Sequence, residues 1–286
     1  DASVVDEYFG VKVADPYRPL ENDTAAVTAA WVEAERRVTE DYLSQIPFRD
    51  KLRKEIAGFN DYVKQGTPWR WNDGKYYLFR NDGLKNQSVL YRLDTLDAEP
   101  VVVLDPNALS DDGTVALTGL SMSEDGKWIA YTISRSGSDW TEIYVLDSAT
   151  GKLAPDHIEW AKFTSADWRG DGFYYSAYDR PEAGKEYSNA NENHKIYYHR
   201  MGTPQSDDTL VFEDPEHPLH FHSAGLSSDK RYLFVSVGGQ GFGNGLLMKD
   251  LEAENPQWQV IETSQDYDIG VIDVIDGKIY ILTSAG

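Results

Sequence analysis

The chain has 286 residues, 41% hydrophobic and 13% aromatic, which is enough for one large domain or two small ones and excludes a disordered chain. Its 27 Lys and Arg stand against 48 Asp and Glu, a formal charge of −21 that repels phosphate backbones and anionic lipid, so neither nucleic acid nor a membrane is an expected partner. The absence of cysteine excludes disulfides, thiolate zinc sites and thiol catalysis, and it fits a reducing cytoplasm and a cysteine-averse bacterial periplasm equally.

The opening DASVVDEYFG lacks the basic and apolar regions of a signal peptide, and no apolar run approaches the ~18 residues of a membrane helix. The expectation is a soluble protein, any signal having been removed before residue 1. After DPYRPLENDT, the residues Val27, Trp31, Ala34, Val38 and Tyr42 recur every three or four positions and predict a helix, with Asp23 or Thr24 as its cap. Pro47 can open a second helix, with Phe48, Leu52, Ile56 and Phe59 on one face and an end near Gly58 to Tyr62. Near Val63 to Pro68 the helical period gives way to period two, and QGTP supplies turn chemistry.

From there a repeat begins. An Asp-Gly or Asp-Lys turn followed by an aromatic or β-branched strand occurs five times: WNDGKYYLF (Asp73), SEDGKWIAY (Asp125), WRGDGFYYSAY (Asp171), SSDKRYLFVSV (Asp229) and VIDGKIYIL (Asp276). The intervals are 52, 46, 58 and 47 residues. A second strand pair follows the first four, as in SVLYRLDTLDAEPVVVLD and TEIYVLDSATGKLAPDHI. Four strands per unit of about 50 residues is the period of a β-propeller blade. The predicted fold is therefore mainly β, a partial propeller of about 4.5 blades over residues 66–286, preceded by a helical segment over residues 1–65. An unclosed ring leaves open faces, so apolar residues on the first and last blades and on the first helix are expected to be exposed.

Chemistry-bearing motifs are sparse. There is no G-x-S-x-G; GLSMS is the nearest approach, with Ser123 in place of the final Gly. HPLHFH offers His217, His220 and His222, whose commoner role is structural, since the stretch specifies no third ligand beyond ordinary acids; no metal site is assigned. GGQGFGNG misses the G-x-G-x-x-G order and is expected to be a flexible loop between strands. Asp111-Asp112 and Asp207-Asp208 lack calcium-loop spacing and are expected at solvated loop tips. Trp160, Phe163 and Trp168 surround the turn into the third blade, and Phe221 precedes the fourth; aromatics there either fill a core or line a binding face.

Taken together, DPYRPLE (Asp15 to Glu21), NQSVLYRLD with VVVLDPN, SEDGKWIAYTISRSGSDW, AKFTSADWRGDGFYYSAYDRPE and YYHRMGTPQSDDTLVFED resemble the amino-terminal part of the prolyl oligopeptidase family of serine peptidases. The resemblance implies a seven-bladed propeller covering an α/β-hydrolase domain that cuts short peptides after proline with a Ser-His-Asp triad and an oxyanion hole, and no cofactor. No triad member is implied within these residues, so this chain alone is not expected to be active; its partners would be short proline-containing peptides and the hydrolase domain that follows the propeller in the family. The propeller's implied role is to exclude folded proteins from the nucleophile. Three positions match residues near the family's substrate cavity: Phe163, an aromatic lining the pocket beyond the proline site, Phe221, an apolar residue of that pocket, and Asp139 in SGSDW, an acid facing an arginine of the hydrolase domain. VGGQGFGN and Thr118 depart from the arginines and cysteine of the animal enzymes, so subsite preference does not transfer. The competing expectations are a stand-alone propeller that binds or scaffolds, and the same portion of an oligopeptidase B-like enzyme that cuts after basic residues.

Overall fold

The computed structural model of the chain describes residues 4–182, 184–187, 190–239 and 241–286. They divide into two compact units, Asp1–Tyr62 with Pro181–Ala190, and Val63–Arg180 with Asn191–Gly286.

The first unit holds a short hairpin, Val5–Tyr8 against Val11–Ala14, and two helices, α1 (Ala26–Ser44) and α2 (Arg49–Asn60). Neither Asp23 nor Thr24 caps α1: its N-cap is Ala25, which makes no side-chain bond. Thr24 is engaged one turn earlier, where its N–H and hydroxyl both donate to Asn22 Oδ1. The Thr28 hydroxyl then donates to the Asn22 carbonyl at 2.7 Å, which fixes the entry to the helix from inside its first turn. The second helix starts two residues after Pro47 and ends at Asn60, within the expected span. Thr28 is the one buried residue of α1, whereas Val27, Trp31, Val38 and Tyr42 are exposed. Among the described residues, no helix is long and apolar enough to cross a membrane.

The second unit is built of antiparallel blades. The first contains Lys64–Gln65 and Trp69–Arg70 beside Tyr76–Asn81, then Val89–Leu93 and Val101–Leu104. The second runs Val115–Met122, Trp128–Arg135, Thr141–Asp147 and Leu153–Ala161. The third runs Asp167–Arg169, Gly172–Ala177, Lys195–Arg200 and Thr209–Phe212. The fourth runs Phe221–Leu226, Tyr232–Gly238, Gly245–Asp250 and Trp258–Glu262, and a hairpin, Ile269–Ile275 with Lys278–Thr283, begins a fifth. One bridge, Ala161 to Ala177, joins the second and third blades into a continuous sheet.

Period two explains how the blades stack, because alternate residues of a strand point to opposite faces. Ile129, Tyr131 and Ile133 pack with Tyr77, Leu90 and Leu104 of the first blade, while Ala130 between them packs toward Phe173 and Tyr175 of the third. The third blade repeats the division: Phe173, Tyr175 and Ala177 face the second blade, whereas Tyr174 and Ile196 pack with Leu233, Val235 and Val237 of the fourth. Each core is thus shared by two consecutive blades. Exposed apolar residues occur at both ends of the series, Val101 and Val102 in the first blade and Ile272, Ile275, Tyr280 and Leu282 in the last hairpin, and also on the outer strands between them, at Leu153, Leu210 and Val260.

The Asp turns differ in construction. In the last hairpin Asp276 and Gly277 both take positive φ, 51° and 72°, as a two-residue primed turn requires. The second and fourth blades use a longer connection fastened by a serine. Ser123 Oγ donates to Asp125 at 2.7 Å and accepts the Trp128 N–H at 2.9 Å; Ser227 does the same with Asp229 and Tyr232 at 2.6 and 2.9 Å. The left-handed residue that follows is Gly126 in one and Lys230 in the other, which is why Asp-Lys stands in for Asp-Gly.

Candidate functional site

The strand register brings one set of loops to a common end of the sheets. Thr141 opens its strand opposite Ala161, which ends the next; Ala161 pairs with Ala177, and Ala177 pairs with Lys195 at the start of the following strand. Trp140, Lys162, Phe163, Tyr178 and His194 sit just beyond these strand ends, and Trp160 is the next-to-last residue of its strand. Phe221 opens the fourth blade opposite Gly238.

Phe163 and Phe221 come together there, with ring centroids 5.6 Å apart. Both rings remain accessible, 52% for Phe163 and 40% for Phe221, which is unusual for paired aromatics and places them as a surface rather than as core. Phe221 lies across its cross-strand neighbour: a Cβ at Gly238 would fall 2.5 Å from the ring, so the glycine makes the room. Phe163 sits on strained backbone that its surroundings must impose, since its φ of 51° and the 59° of Trp160 lie in the left-handed region that bulky residues avoid.

Buried histidines brace the pair. His194, fully buried, donates from Nε2 to the Lys162 carbonyl at 2.9 Å and accepts the His222 N–H at Nδ1 at 2.8 Å. His222 returns a bond from its own Nδ1 to the His194 carbonyl at 2.8 Å. This clasp ties the connection bearing Phe163 to the strand bearing Phe221. Burial lowers the His194 pKa to about 4, and burial lowers that of His222 as well, so both rings are neutral at pH 7. The Phe163 ring meets His194 edge-on at 6.3 Å.

The charged edge of the cluster is Lys162, itself buried, with its ammonium 4.9 Å from the Trp140 ring, 5.5 Å from the Phe163 ring and 3.7 Å from Asp139. Asp139 is 77% exposed at its side chain. Trp140 packs edge-on against Trp160 and Tyr178 at 5.5 and 5.9 Å. The arrangement is an apolar shelf of two phenylalanines beside a lysine–aspartate pair, suited to hold an apolar side chain or ring.

Two residues that carry the geometry, Lys162 and His194, escape a motif search because nothing in their immediate sequence marks them. The adjacency of Lys162 to Phe163 in AKF is the one signal for the lysine; His194 follows a segment without strand pattern. Trp168, grouped with Phe163 by position, is instead core, packed on Phe173 at 5.1 Å.

Two expectations need correction. Asp208 is no solvated loop tip: its side chain is 2% exposed and bonds Tyr175 Oη and His199 Nδ1, both at 2.7 Å. The run GGQGFGNG, of which Gln240 lies outside the described residues, is anchored at its far end, with Gly243 and Asn244 donating to Gln265 and Tyr267 carbonyls at 2.9 and 3.2 Å. A Cβ on Gly243 would lie 1.9 Å from the Tyr267 oxygen, so glycine there allows two backbones to touch. The HPLHFH histidines divide: His222 has the expected structural role in the clasp, while His217 and His220 gather with Asp214, their ligand atoms within 4.8 Å of one another.

The family described as prolyl oligopeptidase, N-terminal beta-propeller domain, matches residues 1–286. The chain is 42% identical over 283 residues to a prolyl endopeptidase of Elizabethkingia meningoseptica, covering 98% of this chain and 40% of that protein. It is 35% identical over 275 residues to prolyl oligopeptidase A of Galerina marginata, covering 87% of this chain and 36% of the relative. Among solved structures it superposes on a prolyl endopeptidase with a TM-score of 0.70 at 31% identity, covering 98% of this chain and 40% of the other. Prolyl oligopeptidase B of Galerina marginata bound to a 25mer macrocyclization substrate superposes with a TM-score of 0.83 at 28% identity, covering 98% of this chain and 43% of the other. The chain thus spans about 40% of the length of the curated relatives it matches. With its blades, its amino-terminal helices and a family match along its whole length, it belongs to the prolyl oligopeptidase family, of which it is the N-terminal β-propeller part.

Proposed function

We propose that residues 1–65, the helical segment, and residues 66–286, the partial propeller domain, form the amino-terminal portion of a serine endopeptidase that cleaves short peptides on the carboxyl side of proline. The Phe163–Phe221 shelf carries this reading, because two accessible rings 5.6 Å apart, one on strained backbone, match the positions expected to line the pocket beyond the proline site. In this reading the propeller restricts substrate size, the shelf packs on the peptide's apolar side chain, and Asp139 meets an arginine of a carboxyl-terminal α/β-hydrolase domain that carries the triad. The chain alone is inactive, and the exposed apolar residues of α1 and of the last hairpin are covered in the full-length protein.

The test is hydrolysis of proline-containing fluorogenic peptides by the full-length protein. Mutating the serine of its hydrolase domain should abolish turnover; unchanged turnover overturns the proposal, and preference for cleavage after arginine moves the protein to the oligopeptidase B branch. Phe163→Ala should raise KM by about tenfold with kcat nearly unchanged, as expected when a uniform binding contact is lost.

A further inference from the structure

Beyond the peptide shelf, the connection between the third and fourth blades carries a second constellation. Its sequence, DPEHPLH, folds as two successive turns: the His217 N–H donates to the Asp214 carbonyl at 3.2 Å and the His220 N–H donates to the His217 carbonyl at 2.9 Å. Pro215 and Pro218 occupy the second position of each turn, where their fixed φ preorganises the backbone. The turns place Asp214, His217 and His220 on one side. The two imidazoles stack 4.6 Å apart at 10°, and both Nδ1 atoms face Asp214 Oδ2, at 2.9 Å from His217 and 3.6 Å from His220.

His220 is 7% exposed, and its Nδ1 has no hydrogen-bond partner, a costly condition for a buried ring nitrogen. The three side chains line a cavity of about 650 Å³ whose wall also carries Glu262 and Asp266. Two imidazole nitrogens and a carboxylate, with further carboxylates nearby, form a donor set of borderline softness, matched to zinc-class ions rather than to calcium or magnesium.

We propose that Asp214, His217 and His220 bind one divalent transition-metal ion, with zinc as the best-matched member of that class. His217 and His220 coordinate through Nδ1, and Asp214 through a carboxylate oxygen, leaving a fourth position open toward the cavity. Coordination at His220 Nδ1 requires the ring proton on Nε2. The Gln265 amide lies 3.4 Å from that atom, and turning its oxygen inward would accept the proton.

The experiment titrates zinc chloride into chelator-treated full-length protein at pH 7 by calorimetry, with cobalt(II) absorption as an independent report of nitrogen coordination. One ion should bind per chain, and a large excess of magnesium should not displace it. Because His217 is about half exposed, His217→Gln keeps the fold, and it should weaken zinc binding by about 100-fold. His220→Gln, with its fold checked by circular dichroism, should do the same. Absence of zinc binding, or a stoichiometry and affinity unchanged in both variants, overturns the site.

Discussion

Two fully buried histidines, one just before the strand Lys195–Arg200 and one within it, solve burial in opposite ways. His194, just before the strand, exchanges hydrogen bonds with backbone groups and is kept neutral by desolvation. His199, five residues on, lies between two buried carboxylates, with Nδ1 2.7 Å from Asp208 and Nε2 3.1 Å from Asp156. Burial works to lower its pKa, but the hydrogen bonds and charges of Asp208 and Asp156 outweigh it and the net shift is upward. Each ring nitrogen of His199 faces a carboxylate oxygen, and the ring can donate to both only as the imidazolium. The same side chain at the same exposure is a neutral brace in one place and a buried cation in the other, so its partners decide its state.

The largest effect should come from breaking the charged arrangement. His199→Ala would leave Asp156 and Asp208 facing each other in a dry interior, and removing one partner of a buried ion pair costs about 3–5 kcal/mol. Urea unfolding at pH 6 measures this. A loss under about 1 kcal/mol would mean that water reaches the carboxylates and that the contrast with His194 is false.

The pH dependence separates the two rings. His194 has a folded pKa of about 4 against an unfolded value near 6.5, so the unfolded chain takes up the proton first as pH falls. Its contribution is complete above pH 6.5 and declines toward pH 4, by about 3 kcal/mol at the limit. His222, shifted in the same direction, adds to that decline. His199, shifted upward, contributes stability that is complete below its unfolded value and is lost as pH rises through its folded value. Stability against pH should therefore fall less on the acid side in His194→Gln and less on the alkaline side in His199→Gln. Identical pH profiles for both variants would remove the distinction.

Little of this was legible in the sequence, although the blades were. Five Asp turns and alternating strands exposed the repeat because a hairpin is specified by neighbours in the chain. The burial of Asp208 is not legible because its partners, Tyr175 and His199, come from separate strands, and a DD pair looks the same in a solvated tip as in a buried one. Family resemblance places Phe163 and Phe221 near one pocket but does not say that they touch; the residues that hold them together, Lys162 and His194, lie 32 positions apart and are joined only by the fold. Periodicity has the same limit: Val27, Trp31, Val38 and Tyr42 of α1 follow as clear a pattern as Gly172–Ala177, yet the strand is buried at all six positions and the helix at Thr28 alone. A pattern states which face can be buried, and the partner that buries it comes from elsewhere.

The smallest effect should belong to Asp139, which completes the gradation from neutral ring to enclosed ion pair. Lys162 is buried with its ammonium 3.7 Å from Asp139, but the carboxylate side is open to solvent. The lysine has two other attractions, the Trp140 and Phe163 faces at 4.9 and 5.5 Å. An ion pair open on one side contributes under about 1 kcal/mol, so Asp139→Asn should shift urea unfolding of this chain by no more than that. Salt should erase most of the difference, because screening acts on the exposed partner. If the variant instead costs several kcal/mol, Asp139 is the principal partner of Lys162. The pair would then belong with His199 and its carboxylates, and the Phe163 shelf would rest on a charge pair rather than on the histidine clasp.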